Sequence, residues 1–404
     1  MIIKRVVIED ICDFVGGSQP PKEVFISEYE EGYIRLIQIR DYKTDRFITY
    51  IPTDTAKRFC NKQDIMIGRY GPPIYQILRG IDGAYNVALM KAVPKPNILN
   101  DYLYYLLKQE AIFKYVEKLS LRTGGQTGVD LDSLNQYPVL LPNLSYQQNV
   151  VNVLKTLDSK IELNNRINAE LEAMAKMLYD YWFVQFDFPD KNGKPYKTSG
   201  GKMVWNEELK RDIPDATDWD IGTLLDIAEY INGLPCQKFR PTGNDYLRVI
   251  KIKEMHEGFS SETELVRPDI PRRAIIENGD VLFSWSASLE VQIWTGGKGA
   301  LNQHIFKVTS DKYPKSFYFY QLINYLQHFK MMAENRKTTM GHITQEHLQQ
   351  SRIAIPPKYL TKELEKIIAP IFERKMINEM ENQKLSELRD WLLPMLMNGQ
   401  VKVN

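Results

Sequence analysis

The chain has 404 residues, of which 43% are hydrophobic and 25% are charged, and its formal net charge is +1. This composition is typical of a globular protein with enough apolar side chains for two domains, and it excludes disorder as the default. The small net charge excludes nucleic-acid binding by bulk attraction alone, so that any DNA contact has to be local or shared with partners.

The cysteines and the apolar runs indicate the cellular compartment of the protein. Cys12, Cys60 and Cys236 lie far apart without a Cys-x-x-Cys pair. We therefore expect reduced thiols, with neither a disulfide framework nor a metal site. The N-terminal residues lack the pattern of a secretory leader, and no apolar run approaches the roughly 18 residues that cross a bilayer. We expect a cytoplasmic protein without membrane contact.

Residues 1–143 alternate apolar and polar side chains in short runs, which is typical of half-buried strands. Tyr33–Asp41 is one such run and Asp64–Ile67 is another. The aromatic-rich segment Tyr102–Leu106 has helical spacing, and it is followed by a loop rich in Gly and Thr, a short helix and a strand that ends at Pro142. The pattern predicts an α+β domain around a curved sheet or a partial barrel.

Residues 144–185 contain neither proline nor glycine. Apolar residues follow one another there in alternating steps of four and three, which predicts a helix with a heptad seam. At about 1.5 Å per residue, such a helix is roughly 60 Å long. Residues 186–215 are rich in Pro, Gly and Lys, and this composition predicts a connector.

Residues 216–357 repeat the features of residues 1–143 in the same order and at nearly the same offset. Such a series of matches predicts two tandem copies of one domain. The matched segments are Ile11–Gly17 with Ile227–Gly233, Tyr33–Asp41 with Tyr246–Glu254, Asp64–Ile67 with Asp280–Phe283, Asn86 with Asn302, Lys91 with Lys307, Tyr102–Leu106 with Tyr318–Leu322, and Thr127–Leu134 with Gly341–Leu348.

Residues 358–404 repeat the heptad seam, and Pro370 predicts that this second helix starts or kinks there. Each seam carries two asparagines. They either lie buried and fix the register of a helix pair, or face water on ordinary amphipathic helices. We expect an antiparallel coiled coil that separates the two domains, with an approximate two-fold axis. The predicted pairing residues are Leu157, Ile161, Asn164, Asn168, Leu171, Ile371, Asn378, Asn382 and Leu385.

Over essentially its full length, the chain resembles the specificity subunits of Type I restriction-modification systems. The segments that carry the resemblance are Phe14–Gly17, Tyr137–Pro142 with Gln147 and Gln148, Phe186–Pro189, Met203–Trp205 and Asn232–Pro241. The resemblance implies two target recognition domains, 1–143 and 216–357, that each read one half of a split DNA sequence. It also implies that the helices at 144–185 and 358–404 fix the spacer between the halves.

The resemblance further implies that the chain has no catalytic activity and binds no cofactor. Methylation with S-adenosylmethionine would belong to two modification methyltransferase subunits held by the helices. ATP- and Mg-dependent translocation and cleavage would belong to restriction subunits. Double-stranded DNA is the expected ligand of the chain itself. Gly71–Ile74 matches no pattern of the family, and its role is left open.

Candidate DNA contacts are side chains that read base edges or bind phosphates. Both domains carry a basic, hydroxyl-rich loop before the short helix, and this repetition favours DNA contact over a plain surface turn. Outside the loops, each candidate taken singly is explained better by solvated surface charge than by DNA contact. The loop candidates are Arg122, Thr123, Gln126, Thr127, Arg336, Lys337, Thr338 and Thr339; the others are Arg40, Lys43, Arg69, Arg79, Gln237, Lys238, Arg240, Trp285 and Gln303.

Aromatic and histidine side chains have simpler explanations. Tyr102, Tyr105 and Phe317 could stack on bases, but their helical spacing favours packing in a core. His304 is assigned to a strand and is interpreted as a core or edge histidine.

Two other classes of function compete with DNA recognition. A methyltransferase should carry Asn/Asp-Pro-Pro-aromatic, and Gly71–Ile74 lacks the required amide or carboxylate. A nuclease-like spacing at Asp190 and Glu208–Lys210 straddles the connector and is attributed to chance. The remaining alternative is a bivalent adaptor that binds other proteins.

Overall fold

The structure is a computed structural model that describes residues 3–71, 73–120, 128–215, 218–286, 288–335 and 342–403. Its residues group into two compact units, Met1–Lys160 with Leu385–Asn404, and Ile161–Lys384. The division falls inside both long helices, so that each unit contains one domain and a part of each helix. The domain boundaries expected from the sequence follow the ends of the helices and stay predictions.

Strands dominate the first unit. They are β1 (Ile3–Val7), β2 (Cys12–Gly16), β3 (Tyr33–Ile37), β4 (Tyr50–Pro52), β5 (Phe59–Cys60), β6 (Ile65–Gly68), β7 (Ile77–Arg79), β8 (Gly83–Tyr85), β9 (Leu89–Pro94) and β10 (Pro138–Pro142). Two four-stranded sheets have the orders β2-β9-β6-β7 and β4-β3-β8-β5, where the sequence suggested a curved sheet or a partial barrel. β3 and β8 run parallel. β1 pairs with β10, so that the first and last strands close the domain.

The helices of this unit pack in one core together with β10. They are α1 (Asn100–Leu107), α2 (Glu110–Ser120), α3 (Leu131–Asn135) and the first part of α4 (Leu144–Tyr179). The side chain of Asn143 accepts a hydrogen bond from the Tyr146 N–H at 2.9 Å, which caps the start of α4. Tyr102 and Tyr105 are buried in the same core as Ile67 of β6. The prediction that this tyrosine-rich segment packs in a core is confirmed.

The second unit repeats this arrangement after the connector. Its strands are β11 (Met203–Asn206), β12 (Arg211–Pro214), β13 (Asp220–Thr223), β14 (Glu229–Asn232), β15 (Leu247–Ile250), β16 (Leu265–Val266), β17 (Ile275–Ile276), β18 (Val281–Ser284), β19 (Glu290–Ile293), β20 (Gly299–Leu301), β21 (Ile305–Thr309) and β22 (Arg352–Ile355). The sheets β14-β21-β18-β19 and β16-β15-β20-β17 match those of the first unit, and β13 pairs with β22 as β1 does with β10. The connector contributes the β11–β12 hairpin, which the sequence did not predict.

The helices of this unit are α5 (Leu224–Ile227), α6 (Ile252–Glu257), α7 (Lys315–Asn335), α8 (Gln345–Gln350), the second part of α4 and the first part of α9 (Lys358–Met397). A π-helical turn, Asp180–Val184, extends α4. It carries Trp182 and Phe183 into a core that also contains Phe317 of α7. Phe186, Phe188 and Ile213 of the connector lie in the same core, so the connector folds as part of the second unit.

The predicted duplication is confirmed down to single hydrogen bonds. The Oδ1 atom of Asn86 accepts from the Ala88 N–H at 3.1 Å, and the Oδ1 atom of Asn302 accepts from the His304 N–H at 3.2 Å. Both asparagines hold the turn that leads into the central strand of a sheet, β9 or β21. Equivalent residues therefore make equivalent bonds in the two domains.

An ion pair repeats in the same way. The Nζ atom of Lys91 lies 3.3 Å from Oδ2 of Asp64, and the Nζ atom of Lys307 lies 2.7 Å from Oδ2 of Asp280. All four side chains are mostly buried, with 21–24% of each exposed. Because an unpaired charge at such depth is destabilising, each partner requires the other.

The long helices pair antiparallel in each unit, as predicted. In the second unit, Asn164 of α4 contacts Asn382 of α9, and further along α4 Glu172 contacts Lys375. In the first unit, Arg389 Nη1 lies 2.8 Å from Asp158 Oδ1. Residue numbers rise along α4 as those of the partners fall along α9.

Of the two alternatives predicted at Pro370, a start of the second helix is wrong, and a kink there stays a prediction. α9 begins at Lys358 and runs through the proline. Proline lacks an N–H and removes one helical hydrogen bond. Leu364 and Ile368, which precede it, are fully buried in the core of the second unit, and this packing stabilises the turns that the missing bond weakens.

All three cysteines are free and buried. Burial raises the pKa of the Cys12 thiol to about 12 and the pKa values of Cys60 and Cys236 to about 11. Since the thiolate is the reactive form, we expect native protein at pH 8 to react with Ellman's reagent at least ~100-fold more slowly than urea-unfolded protein. Fast reaction of any one thiol in the folded protein would contradict this burial. Among the described helices, none combines the length and apolarity needed to cross a membrane.

Candidate nucleic-acid interface

The two loops that carry the strongest candidates fall almost wholly outside the described residues. This applies to Arg122, Thr123, Gln126, Thr127, Arg336, Lys337, Thr338 and Thr339. The structure does describe the residues at which both loops rejoin the domains, and these fix where the loops end.

Both loops end beside the residue that directly follows an inner strand of a four-stranded sheet, β6 in the first domain and β18 in the second. In the first domain, the Val129 N–H donates to the Arg69 carbonyl at 3.0 Å, directly after β6. In the second domain, the Ile343 N–H donates to the Trp285 carbonyl at 2.9 Å, directly after β18. Arg69 and Trp285, two of the weaker candidates, are therefore equivalent residues, each bonded to the residue at which the loop rejoins its domain.

Arg69 forms a small exposed platform with its neighbour. Its guanidinium carbon lies 5.4 Å from the centre of the Tyr70 ring, and Tyr70 is 42% exposed. Tyr70 also forms a β-bridge with Gly128 at the end of the loop. A guanidinium held over an aromatic face keeps its N–H groups free for a guanine edge or a phosphate.

Trp285 forms a different surface at the equivalent place. Its ring centre lies 5.7 Å from that of His304 and 5.5 Å from that of His342. The Nε2 atoms of Gln303 and His304 lie 3.3 Å apart. Amide and imidazole groups read base edges, and the rings offer stacking faces.

His304 was assigned wrongly from the sequence. It lies exposed in the turn before β21 and not within a strand.

The opening loop of the second domain lies near this surface. The Gln303 N–H donates to the Leu234 carbonyl at 2.9 Å, three residues before Gln237. Gln237, Lys238 and Arg240 are on this loop, and the structure thus places these three candidates on the segment that leads away from Gln303.

In the first domain, Arg40 and Lys43 lie elsewhere, at a turn after β3. The guanidinium carbon of Arg40 is 5.5 Å from the centre of the Phe47 ring, and that of Arg46 is 5.6 Å from the centre of the same ring. Arg46 was not predicted. The run Arg46-Phe47 beside Arg40 and Lys43 was the available signal, since arginine often stacks on aromatic rings.

Arg79 has a structural role. Its Nη2 atom lies 2.5 Å from Asp101 Oδ1, and its guanidinium carbon lies 3.9 Å from the centre of the Tyr104 ring. A guanidinium held by a carboxylate and a ring in this way has little capacity left for DNA.

Of the predicted pairing residues, the four asparagines bond across the helix pair, and the pairing of the others stays a prediction. Asn164 and Asn378 are fully buried and Asn168 is 6% exposed. The remaining ones, which are half-buried, are Leu157, Ile161, Leu171, Ile371, Asn382 and Leu385. Over the ranges that the structure covers, no three His, Cys, Asp or Glu side chains converge as a metal site would require.

Comparison with known proteins gives one consistent family. A sequence model of the family described as "Type I restriction modification DNA specificity domain" matches residues 3–173 and again residues 216–390. Two curated relatives align over most of their lengths. The "Type I restriction enzyme MjaIX specificity subunit" of Methanocaldococcus jannaschii is 26% identical, with 98% of this chain and 93% of that protein covered.

The "Type I restriction enzyme HindI specificity subunit" of Haemophilus influenzae is 24% identical, with 86% of this chain and 88% of that protein covered. A solved structure, the Type-I restriction-modification system S subunit from M. genitalium, superposes with a TM-score of 0.55 at 14% identity. The match covers 98% of this chain and 96% of that one, and it shows that the fold is shared.

Proposed function

Because the chain belongs to the Type I restriction modification DNA specificity domain family, we propose that it is the specificity subunit of a Type I complex and reads a bipartite DNA sequence. Each domain reads one half of the target, and the long helices set the spacing between the halves. In this proposal the chain carries no catalysis. Partner methyltransferase subunits bring S-adenosylmethionine, and restriction subunits bring ATP and Mg.

One observation gives the strongest support for two domains that recognise different DNA sequences. The frames of the two domains share their turns and ion pairs, whereas the surface at the loop ends differs: Arg69 and Tyr70 in one, Trp285 with His304 in the other. A guanidinium platform and an imidazole and indole surface favour different base edges. A constant frame with divergent surfaces is what recognition of two different half-sites requires.

Exposed apolar pairs support the docking of one kind of partner twice. On α4, Met174 is 43% and Met177 is 65% exposed; on α9, Leu388 is 42% and Trp391 is 57% exposed. Each pair has the same spacing after the first seam asparagine of its helix. Single exposed apolar residues are common, but clustered ones mark interaction sites, and repetition at equivalent places favours a partner present in two copies.

Each unit also has a groove beside the last turns of the long helix that carries its pair. In the first unit, a groove of about 770 Å³ is lined by Phe113 and Leu393 among others. In the second unit, a groove of about 700 Å³ is lined by Phe183 and Phe329 among others. Grooves next to exposed apolar pairs suit an inserted helix or loop of a methyltransferase subunit.

The test is to express the chain with its methyltransferase subunit and to sequence modified adenines in the host genome at single-molecule resolution. We expect one motif of two short sequences separated by a fixed unspecified spacer. The purified complex should shift DNA that contains the motif and release it as salt rises.

A test variant replaces Arg122 and Arg336 by alanine and is compared with the unmutated complex. Loss of methylation with an unchanged subunit composition supports recognition through the loops. If the complex of the unmutated chain assembles but methylates no bipartite sequence, the bivalent adaptor is favoured instead.

A further inference from the structure

Four asparagines meet where α4 and α9 pack in the second unit. They are Asn164 and Asn168 on α4 and Asn378 and Asn382 on α9, and we call them the amide cluster. Asn164 and Asn378 are 0% exposed, and Asn168 is 6% exposed. Of the two interpretations that the sequence leaves open, exposure to water is therefore wrong for three of the four.

The amides bond across the helix pair in a reciprocal pattern. Asn164 Nδ2 donates to Asn382 Oδ1 at 2.9 Å, and Asn378 Nδ2 donates to Asn168 Oδ1 at 2.9 Å. In each bond, the first asparagine of one helix donates to the second asparagine of the other. Beside these two equivalent bonds, Asn164 Nδ2 also donates to Glu381 Oε2 at 2.8 Å, and Asn382 Nδ2 donates to Asn165 Oδ1 at 2.8 Å.

The cluster does not maximise stability. The Oδ1 atoms of Asn164 and Asn378 are buried without a hydrogen-bond donor in the part of the chain that the structure describes. A buried polar atom without a partner is destabilising, and apolar residues of similar size are often as stable or more so. On α4 the seam on either side is apolar, with Ile161 and Leu171, whereas on α9 Lys375 lies before the asparagines and pairs with Glu172 of α4 at 2.9 Å. Some other property must explain four amides there.

We infer that the amide cluster fixes the register in which α4 and α9 pair, at the expense of stability. A slip of one heptad would place Ile371 or Leu385 opposite Asn168 in place of Asn378. The amide of Asn168 would then be buried against an aliphatic side chain. Heptad seams made only of apolar residues accept several registers, and buried asparagine selects one of them.

The consequence of this inference for spacer length rests on the proposed function. If the helices set the distance between two half-sites, then a single register gives a single spacer length. One heptad of slip moves one helix along the other by about 10 Å at ~1.5 Å per residue, which corresponds to about 3 base pairs at ~3.4 Å each. The amide cluster would then be a determinant of spacer specificity that touches no DNA.

The register can be measured without DNA. Exposed Glu170 and Lys362 are each replaced by cysteine and carry nitroxide labels, while the native thiols stay unlabelled because they are buried. Pulsed electron paramagnetic resonance of the full chain should give one narrow distance distribution. In the variant with leucine at all four cluster positions, we expect added distances displaced by about 5–10 Å and a Tm at least as high as that of the parent.

The matched control is Gln383→Leu, an amide-to-leucine change at an exposed position next to the cluster. It should keep the single distribution. If the fourfold variant does not fold, Asn168→Leu with Asn378→Leu removes one complete hydrogen-bonded pair and asks the same question. A folded variant with the distance distribution of the parent overturns the inference.

The DNA test keeps the two proposals apart. Assembled complexes methylate a series of sites whose spacers are up to about 3 base pairs shorter or longer than the one found in the genome, the range that one heptad of slip spans. We expect the parent to prefer one spacer at least ~10-fold and the leucine variant to lose that preference. Equal selectivity in both overturns the role of the amide cluster, whereas a parent without any bipartite target overturns the proposed function.

Discussion

Gly233→Ala is expected to lower the free energy of unfolding by about 3 kcal/mol or more, enough to unfold the second domain. A Cβ atom at this glycine would lie 2.2 Å from the Asn302 carbonyl oxygen and 2.4 Å from that of Leu301. Both atoms are backbone, so no side-chain rotation relieves the overlap. The glycine N–H also donates to the Ile305 carbonyl at 3.2 Å, and any shift weakens the pairing of β14 with β21.

Gly17 occupies the equivalent place in the first domain. Its Cβ atom would lie 2.0 Å from the Asn86 carbonyl oxygen. The same substitution should therefore unfold the first domain instead. Under the proposed function both halves of the target are needed, so either variant should abolish methylation of the bipartite site.

Thermal unfolding and limited proteolysis with fragment identification measure which domain opens. Gly243→Ala is the control for the second domain, because a Cβ atom added there would meet no described atom within 4 Å. It should change stability by less than about 0.5 kcal/mol. Equal melting curves for Gly233→Ala and Gly243→Ala would contradict the close approach of the two backbones.

Trp391→Asp is expected to remove one of two methyltransferase subunits from the complex, and Met177→Asp the other. Truncating a central aromatic residue in an interface costs about 2–4 kcal/mol, which is roughly 30- to 1000-fold in affinity, and a carboxylate adds its own desolvation. Both side chains are more than half exposed in the chain alone, so neither change should unfold it. The double variant should carry no methyltransferase.

Native mass spectrometry of the purified complexes counts the subunits. Tyr359 supplies the matched control, since it is 59% exposed on α9 but its counterpart on α4 is Ser145. Tyr359→Asp should keep both subunits. Retention of two subunits by both single variants would show that the exposed pairs are not the docking surface.

The domain frame was predictable because its signals are local in the sequence. Alternating strands, a tyrosine-rich helix and the pairs Asn86 with Lys91 and Asn302 with Lys307 recur in order. The bonds that these residues make, to Ala88, Asp64 and their equivalents, are the same in both domains. Repetition therefore indicated shared structure before any contact was known.

The candidate interface was predictable only in part. Residue type selected Arg69, Trp285 and Arg40, but it also selected Arg79, which Asp101 and Tyr104 hold in place. Spacing alone cannot tell a free guanidinium from a paired one, since the partner Asp101 belongs to a different element. Arg46 was not predicted. Its role depends on the Phe47 ring, which both Arg46 and Arg40 approach in the folded structure.

The sequence by itself determined the duplication, the heptad seams and the family, because periodicity and repeated motifs are properties of neighbours along the chain. The tertiary structure alone decided that β1 closes on β10, that α9 runs through Pro370 and that Asn164 and Asn378 are buried. Each of these depends on residues distant in sequence. Burial, partner and register are set by what packs against a side chain, and a linear pattern does not contain that information.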